Sequence, residues 1–303
     1  MSKVSLFLIR LLDRILGLLI LTFFIVVLFI VVFFINENNT IINNAGNNQY
    51  KIYKPSSDNK VSFEELQKIN PDVIGWLTIY DTPVDYPVTH CDNNSKYVNT
   101  SPLGEFSLSG ALFLDSRNNE HFTDALSIIY GHNMTGNVMF GDFYMYEDED
   151  YFNSHLNGTL FFDGEYHEIK IFACLSTNRY DGAVYDTGLK DTDKWLQNVY
   201  DKSIHCKRDI PQNSKILMLS TCTTGDTNGR KILLATIGNI VSVPDEKMTT
   251  QRDNNTIALS GGHNNPENNI FQIVIYGIVL IALTIVDIIW SKARKDKLKN
   301  EKT

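Results

Sequence analysis

The chain has 303 residues, 43% hydrophobic and 20% charged, with a formal net charge of −8 at pH 7. That composition excludes collagen-like, coiled-coil and disulfide-scaffold classes, and the negative balance argues against a nucleic-acid binder. The apolar residues gather in two blocks, so the average of a mildly acidic soluble protein describes neither the ends nor the middle of the chain.

In chain order, Lys3, Arg10 and Arg14 precede Ile15 to Ile35, a run of 21 residues without a charge, 19 of them apolar. About 20 such residues cross the ~30 Å hydrocarbon core of a bilayer. A cleaved signal has a shorter apolar stretch, roughly 7 to 15 residues, and a small-residue cleavage site. Here Ile35 leads into Asn36, Glu37 and Asn38. Residues 1–14 are therefore expected to be cytoplasmic and 15–35 an uncleaved transmembrane helix. Residues 36–60 contain eight Asn and few large apolar side chains, which predicts a flexible stalk rather than packed structure.

The folded domain is expected over 61–248. It opens on Ser62-Phe63-Glu64-Glu65, a capping box that predicts a short helix to about Asn70. Short apolar runs rich in β-branched and aromatic residues follow, separated by turn residues: "VIGWLTI", "ALFLD", "LSIIYGH", "TLFFD", "YHEIKIFACLS", "KILMLSTC" and "KILLATIGNIVSV". Seven or eight short strands with few helices indicate a mainly β domain, an antiparallel barrel or sandwich. One helical pattern, Asp191 to Ser203, is inserted between the strand ending near Ser176 and the one starting near Lys215.

A polar linker, 249–269, leads to a second apolar block, 270–290, in which 17 of 21 residues are apolar and only Asp287 is charged. It predicts a second transmembrane helix, with Asp287 close enough to its end to reach the interface. Lys292, Arg294, Lys295, Lys297, Lys299 and Lys302 make 291–303 a basic tail. By the positive-inside rule both termini are cytoplasmic, a two-pass arrangement that puts 36–269 on the extracellular face. That segment carries 18 basic and 31 acidic residues. A surface-protein sorting signal would need a Leu-Pro-x-Thr-Gly kind of pentapeptide before the last span, and 251–269 hold none.

Of four cysteines, none sits in a Cys-x-x-Cys or His-rich ligand spacing, so no metal and no cofactor is expected. Outside the cell two disulfides would be the default, and the redox state of Cys91 and Cys206 stays open. Cys174, within "IFACL", reads as a small buried hydrophobe. Cys222 closes an apolar strand ahead of "TTGDTNG" and is expected to be an exposed, free thiol. Cysteine catalysis needs a thiolate, a proton donor for the leaving amine, and positive charge or amide donors for the oxyanion. His132 ends another apolar strand, mirroring Cys222, and a hairpin loop from Thr223 to Gly229 would return Arg230 beside Cys222. Singly, these residues read as a hydrogen-bonded loop histidine, a buried thiol and a surface cation; their joint placement points to chemistry.

The set "SGALFLD", "IIYGHNM…MFGDF" and "LSTC…R…ILLATI", after "INPDVIGWLTI…VDYPV", resembles the class B sortases, cysteine transpeptidases of Gram-positive surfaces. The resemblance spans about residues 62 to 242. It implies a sortase-type closed β-barrel of seven to eight strands, with an N-terminal helix and a helix inserted between strands 6 and 7. It implies His132, Cys222 and Arg230 as catalytic residues and Asn99, Thr177 and Ser220 as substrate contacts. The implied reaction cleaves a C-terminal sorting motif of secreted proteins after Thr through a thioacyl intermediate, the motif being of the Asn-Pro-x-Thr or Leu-Pro-x-Thr type. The acceptor is then an amine, of a peptidoglycan precursor or of a pilin Lys. Two departures stand out. Met218 takes the place of the family's first Thr in Thr-Leu-x-Thr-Cys, and the second span resembles class C pilin polymerases, whose Asp-Pro-aromatic lid is absent from 36–61. The readings that compete with cell-wall anchoring are pilus polymerisation, ordinary cysteine proteolysis and a catalytically silent surface scaffold.

Overall fold

The computed structural model describes residues 3–46, 49–56 and 61–242. The chain divides into two compact units, Glu37–Arg252 and a second made of the two ends. In the terminal unit, helix α1 (Lys3–Ala45) begins, and its stretch Leu11–Ile35 has a mean hydropathy of 3.5, long and apolar enough to cross a membrane. The expected second span at 270–290, its linker and the basic tail lie outside the described residues.

The other unit is a β-barrel. Its elements are α2 (Val61–Ile69), β1 (Val73–Ile79), β2 (Asp85–Thr89), β3 (Leu112–Leu114), β4 (Leu126–Tyr130), α3 (Glu149–Ser154), β5 (Asn157–Phe162), β6 (Glu165–Asn178), α4 (Thr192–Lys202), β7 (Ser203–Cys206), β8 (Lys215–Thr223) and β9 (Asp226–Val241). The strands run in the order β5-β1-β2-β3-β4-β8-β9-β6, and β5 pairs with β6 to close eight of them. The ninth, β7, attaches to the far half of β6, where Ala173 faces Cys206.

Two expectations need correction here. The sheet is not purely antiparallel, because β2–β3 and β4–β8 pair in parallel; an apolar run does not reveal which way its neighbour points. Strands β2 and β7 were also absent from the apolar runs. Pro87 interrupts β2, yet β3 joins that strand only at Val88 and Thr89, so the missing N–H costs no rung there. In β7 the run is four residues long and no residue of it is buried.

Side chains alternate across each strand. Leu217, Leu219, Leu233, Ala235 and Cys174 point into the barrel with Leu77 and Leu160. Ile216, Met218, Ile232 and Leu234 point outward, where Trp195 and Val199 of α4 and Val184 cover them. Helix α4 starts where expected: Asp191 caps it, accepting from the Lys194 N–H at 3.0 Å. The capping-box reading of Ser62 does not hold, since Ser62 stands inside the first turn of α2 with its hydroxyl on the Lys54 carbonyl.

The stalk expectation also fails at Ala45 and over 49–56. Ala45 and Tyr50 are buried in the barrel's core cluster, a 3-10 turn forms at Lys51–Tyr53, and the Tyr166 hydroxyl donates to the Pro55 carbonyl. Buried Tyr50, with Tyr53 packed against the same cluster, anchors this short segment to the barrel.

Candidate active site

The site is a row of side chains across four neighbouring strands. The parallel register of β4 on β8 ends with Tyr130 opposite Ser220. One step on, the Gly131 N–H donates to the Ser220 carbonyl at 3.2 Å. The Asn133 side-chain amide then donates to the Cys222 carbonyl at 2.9 Å. His132, between these two ties, is thereby held at the level of Cys222. On the other side Cys222 faces Arg230 across β8–β9, and Arg230 faces Thr177 across β9–β6. Strands lie about 4.8 Å apart, so His132, Cys222, Arg230 and Thr177 form one line on the outer face of the barrel.

The hairpin that returns Arg230 is tighter than expected. The strands β8 and β9 extend to Thr223 and Asp226, leaving a Thr224–Gly225 turn with Gly225 at φ +85°. A register shift between Cys222 and Thr223 absorbs the extra residues of β9. Such a bulge re-aims the side chain beside it, and Cys222 is exposed whereas Ser220 and Thr221 are buried.

His132 Nε2 lies 2.8 Å from the Val98 carbonyl. A carbonyl only accepts, so Nε2 carries the hydrogen and Nδ1 is the basic nitrogen of the neutral ring. Gly110 makes this contact possible: at φ +58°, a Cβ there would come within 2.5 Å of the Val98 oxygen. Asn99, the next residue, is exposed on the same rim, its own carbonyl accepting from Ser107 N–H at 3.0 Å. Arg230 Nη1 donates to the Gly229 carbonyl at 2.7 Å and more weakly to Thr227 at 3.3 Å, which orients the guanidinium fork.

The remaining expected residues are present but committed. Thr177 donates to Asp181 at 2.7 Å. Burial alone would raise the Asp181 carboxyl, but hydrogen bonds from Lys202 and Thr177 hold it below the usual range. Ser220 is 1% exposed, with its hydroxyl 2.7 Å from that of Tyr185. Burial pushes the Tyr185 phenol up to about 12, so it is neutral at physiological pH. Nothing in the sequence marks Tyr185, which lies in a polar stretch without periodicity; α4 pins that stretch where Trp195 donates to the Val184 carbonyl at 3.1 Å. Asn133 is marked only by standing next to His132.

All four cysteines are free thiols. Cys174 is buried in the barrel, which pushes its thiol up to about 12 and leaves it inert. Among the described residues no group of three or more His, Cys, Asp or Glu is arranged to hold a metal ion.

No family model matches the chain. It is 35% identical over 164 residues to sortase B of Listeria monocytogenes, a match spanning 53% of this chain and 66% of that protein, just under two thirds of its length. Among solved structures, a Streptococcus pyogenes class B sortase involved in pilus biogenesis is 37% identical, with a TM-score of 0.55 over 58% of this chain and 98% of that one. The sortase B from the type II pilus of Streptococcus pneumoniae is 34% identical, with a TM-score of 0.51 over 58% and 98%.

Proposed function

The chain belongs to the class B sortases, a family of cysteine transpeptidases, and from that premise we propose that Cys222 attacks the Thr carbonyl of a C-terminal sorting motif. The observation that carries this reading is the row His132, Cys222, Arg230, Thr177 set by strand register. Attack forms a carbon–sulfur bond and a tetrahedral oxyanion. The guanidinium of Arg230 and a backbone amide stabilise that charge. His132 gives a proton to the leaving amine from Nδ1 as the peptide bond breaks, and recovers one from the incoming amine in the second half. The attack needs Cys222 as its thiolate and His132 carrying the proton that the leaving amine takes. Asn99 and Thr177 contact the substrate from opposite ends of the row, and Ser220 sets Tyr185 against it.

The acceptor in this reading is an amine of the cell wall. The two pilus sortases among the similar structures favour a second reading in which a pilin Lys is the acceptor. In both, the catalytic domain lies outside the cell on a two-pass chain with cytoplasmic termini. Incubating the full chain with sorting-motif peptides, with and without an added amine, tests the reaction. The account expects amide product to dominate when amine is present, and no product from Cys222→Ala. Hydrolysis that an amine does not divert would make the protein a protease instead. Competition between a cross-bridge peptide amine and a pilin Lys peptide separates the two acceptors.

A further inference from the structure

We propose that Asn133 is a positioning residue that sets His132 against Cys222 by supplying, from its side chain, a rung that the backbone ladder leaves out. This rests on the transpeptidase reading above. In a parallel ladder, N–H groups two residues apart on one strand bond to carbonyls two apart on the other. Gly131 N–H to the Ser220 carbonyl is one rung of β4–β8, and the next would run from Asn133 N–H to the Cys222 carbonyl. Instead Asn133 stands at an isolated antiparallel bridge to Met139, in which the Phe140 N–H donates to the His132 carbonyl at 3.0 Å, as the chain turns into the loop that follows. The carboxamide takes the place of that rung, donating to Cys222 O at 2.9 Å and reaching Thr224 Oγ1 at 3.4 Å.

The consequence falls on His132. Its backbone is tied to the nucleophile strand on both sides, by Gly131 and by Asn133, while its ring is held from a third direction by Val98. The chain turns away into the 134–141 loop at the very residue after the histidine, yet the spacing of the two strands is kept past that point. Only a donor serves, since the Cys222 carbonyl is an acceptor. A carboxylate of the same size would set acceptor against acceptor.

The test compares single-turnover acylation of the full chain by a sorting peptide in Asn133→Ala, Asn133→Asp and wild type, each also with His132→Ala. The proposal expects kcat for acylation to fall about 10-fold to 100-fold, comparable to misplacing one catalytic group, with KM within about twofold of wild type. Asp should be no better than Ala, and neither change should add to the loss in the His132→Ala background. Wild-type rates in Asn133→Asp would overturn the proposal, as would losses that add fully to that of His132→Ala. If Ala does not fold, the near-isosteric Asp still decides. Failure of wild type to acylate at all would instead reject the function proposed above.

Discussion

At the scale of single residues the barrel holds one carboxyl that chemistry would not choose to bury. Asp142 has no exposed surface, its Oδ2 is 3.4 Å from the Tyr151 hydroxyl, and its Oδ1 meets no donor among the described residues. Burial pushes its carboxyl up to about 7. Below an unfolded value of about 3.9 both states are protonated. Between there and about 7 the native state keeps a proton that the unfolded state has released, so this group's effect on stability turns against folding as pH rises, and levels off above. Asp72, Asp115 and Asp181 are shifted the other way by their cationic partners; their contribution is present above the unfolded value and lost on acidification, below the window in which Asp142 acts. Asp142→Asn should therefore be more stable than wild type at pH 8, by up to about 4 kcal/mol, with the gain shrinking toward pH 5. Thermal unfolding at the two pH values measures it; an equal gain at both would show that Asp142 does not titrate in that window.

At the scale of elements, some of the fold was legible because local pattern and tertiary role agree. Cys222 and Arg230 flank a polar turn between two apolar runs, and a hairpin is the only short-range solution for that pattern. Helix α4 has an Asp at its cap and two buried residues, Trp195 and Val199, at a helical spacing of four. What stayed hidden is what a linear pattern does not encode. The parallel pairing of β4 on β8, which aligns His132 with Cys222, is a tertiary fact, and Tyr185 gains its role only because α4 folds its loop over the sheet. The segment 49–56 was hidden for another reason: its Asn-rich surroundings mask the anchoring aromatic Tyr50, which is 2% exposed, and Tyr53 packed on the same cluster. Tyr50→Ala should cost about 3–5 kcal/mol, as removal of a buried aromatic does. Chemical denaturation checks it, and a loss within about 0.5 kcal/mol, the range of surface changes, would return this segment to the status of a stalk.

At the scale of the whole molecule the net charge of −8 conceals a division, with 31 acidic and 18 basic residues between 36 and 269 and basic clusters at both ends. The helix over Leu11–Ile35 suits a membrane anchor, and the charge division is why we place the barrel outside the cell. The exposed thiol of Cys222 stands at a strand end, beside an arginine and level with a histidine. That Cys222 alone carries the acyl group is the central claim. Mass spectrometry of the full chain after incubation with a sorting-motif peptide, followed by mapping of the modified fragment, tests it most directly. The account predicts one acyl group, located on Cys222, discharged by an added amine and missing from Cys222→Ala. An acyl group on Cys91, Cys174 or Cys206, or one that persists in Cys222→Ala, would contradict it.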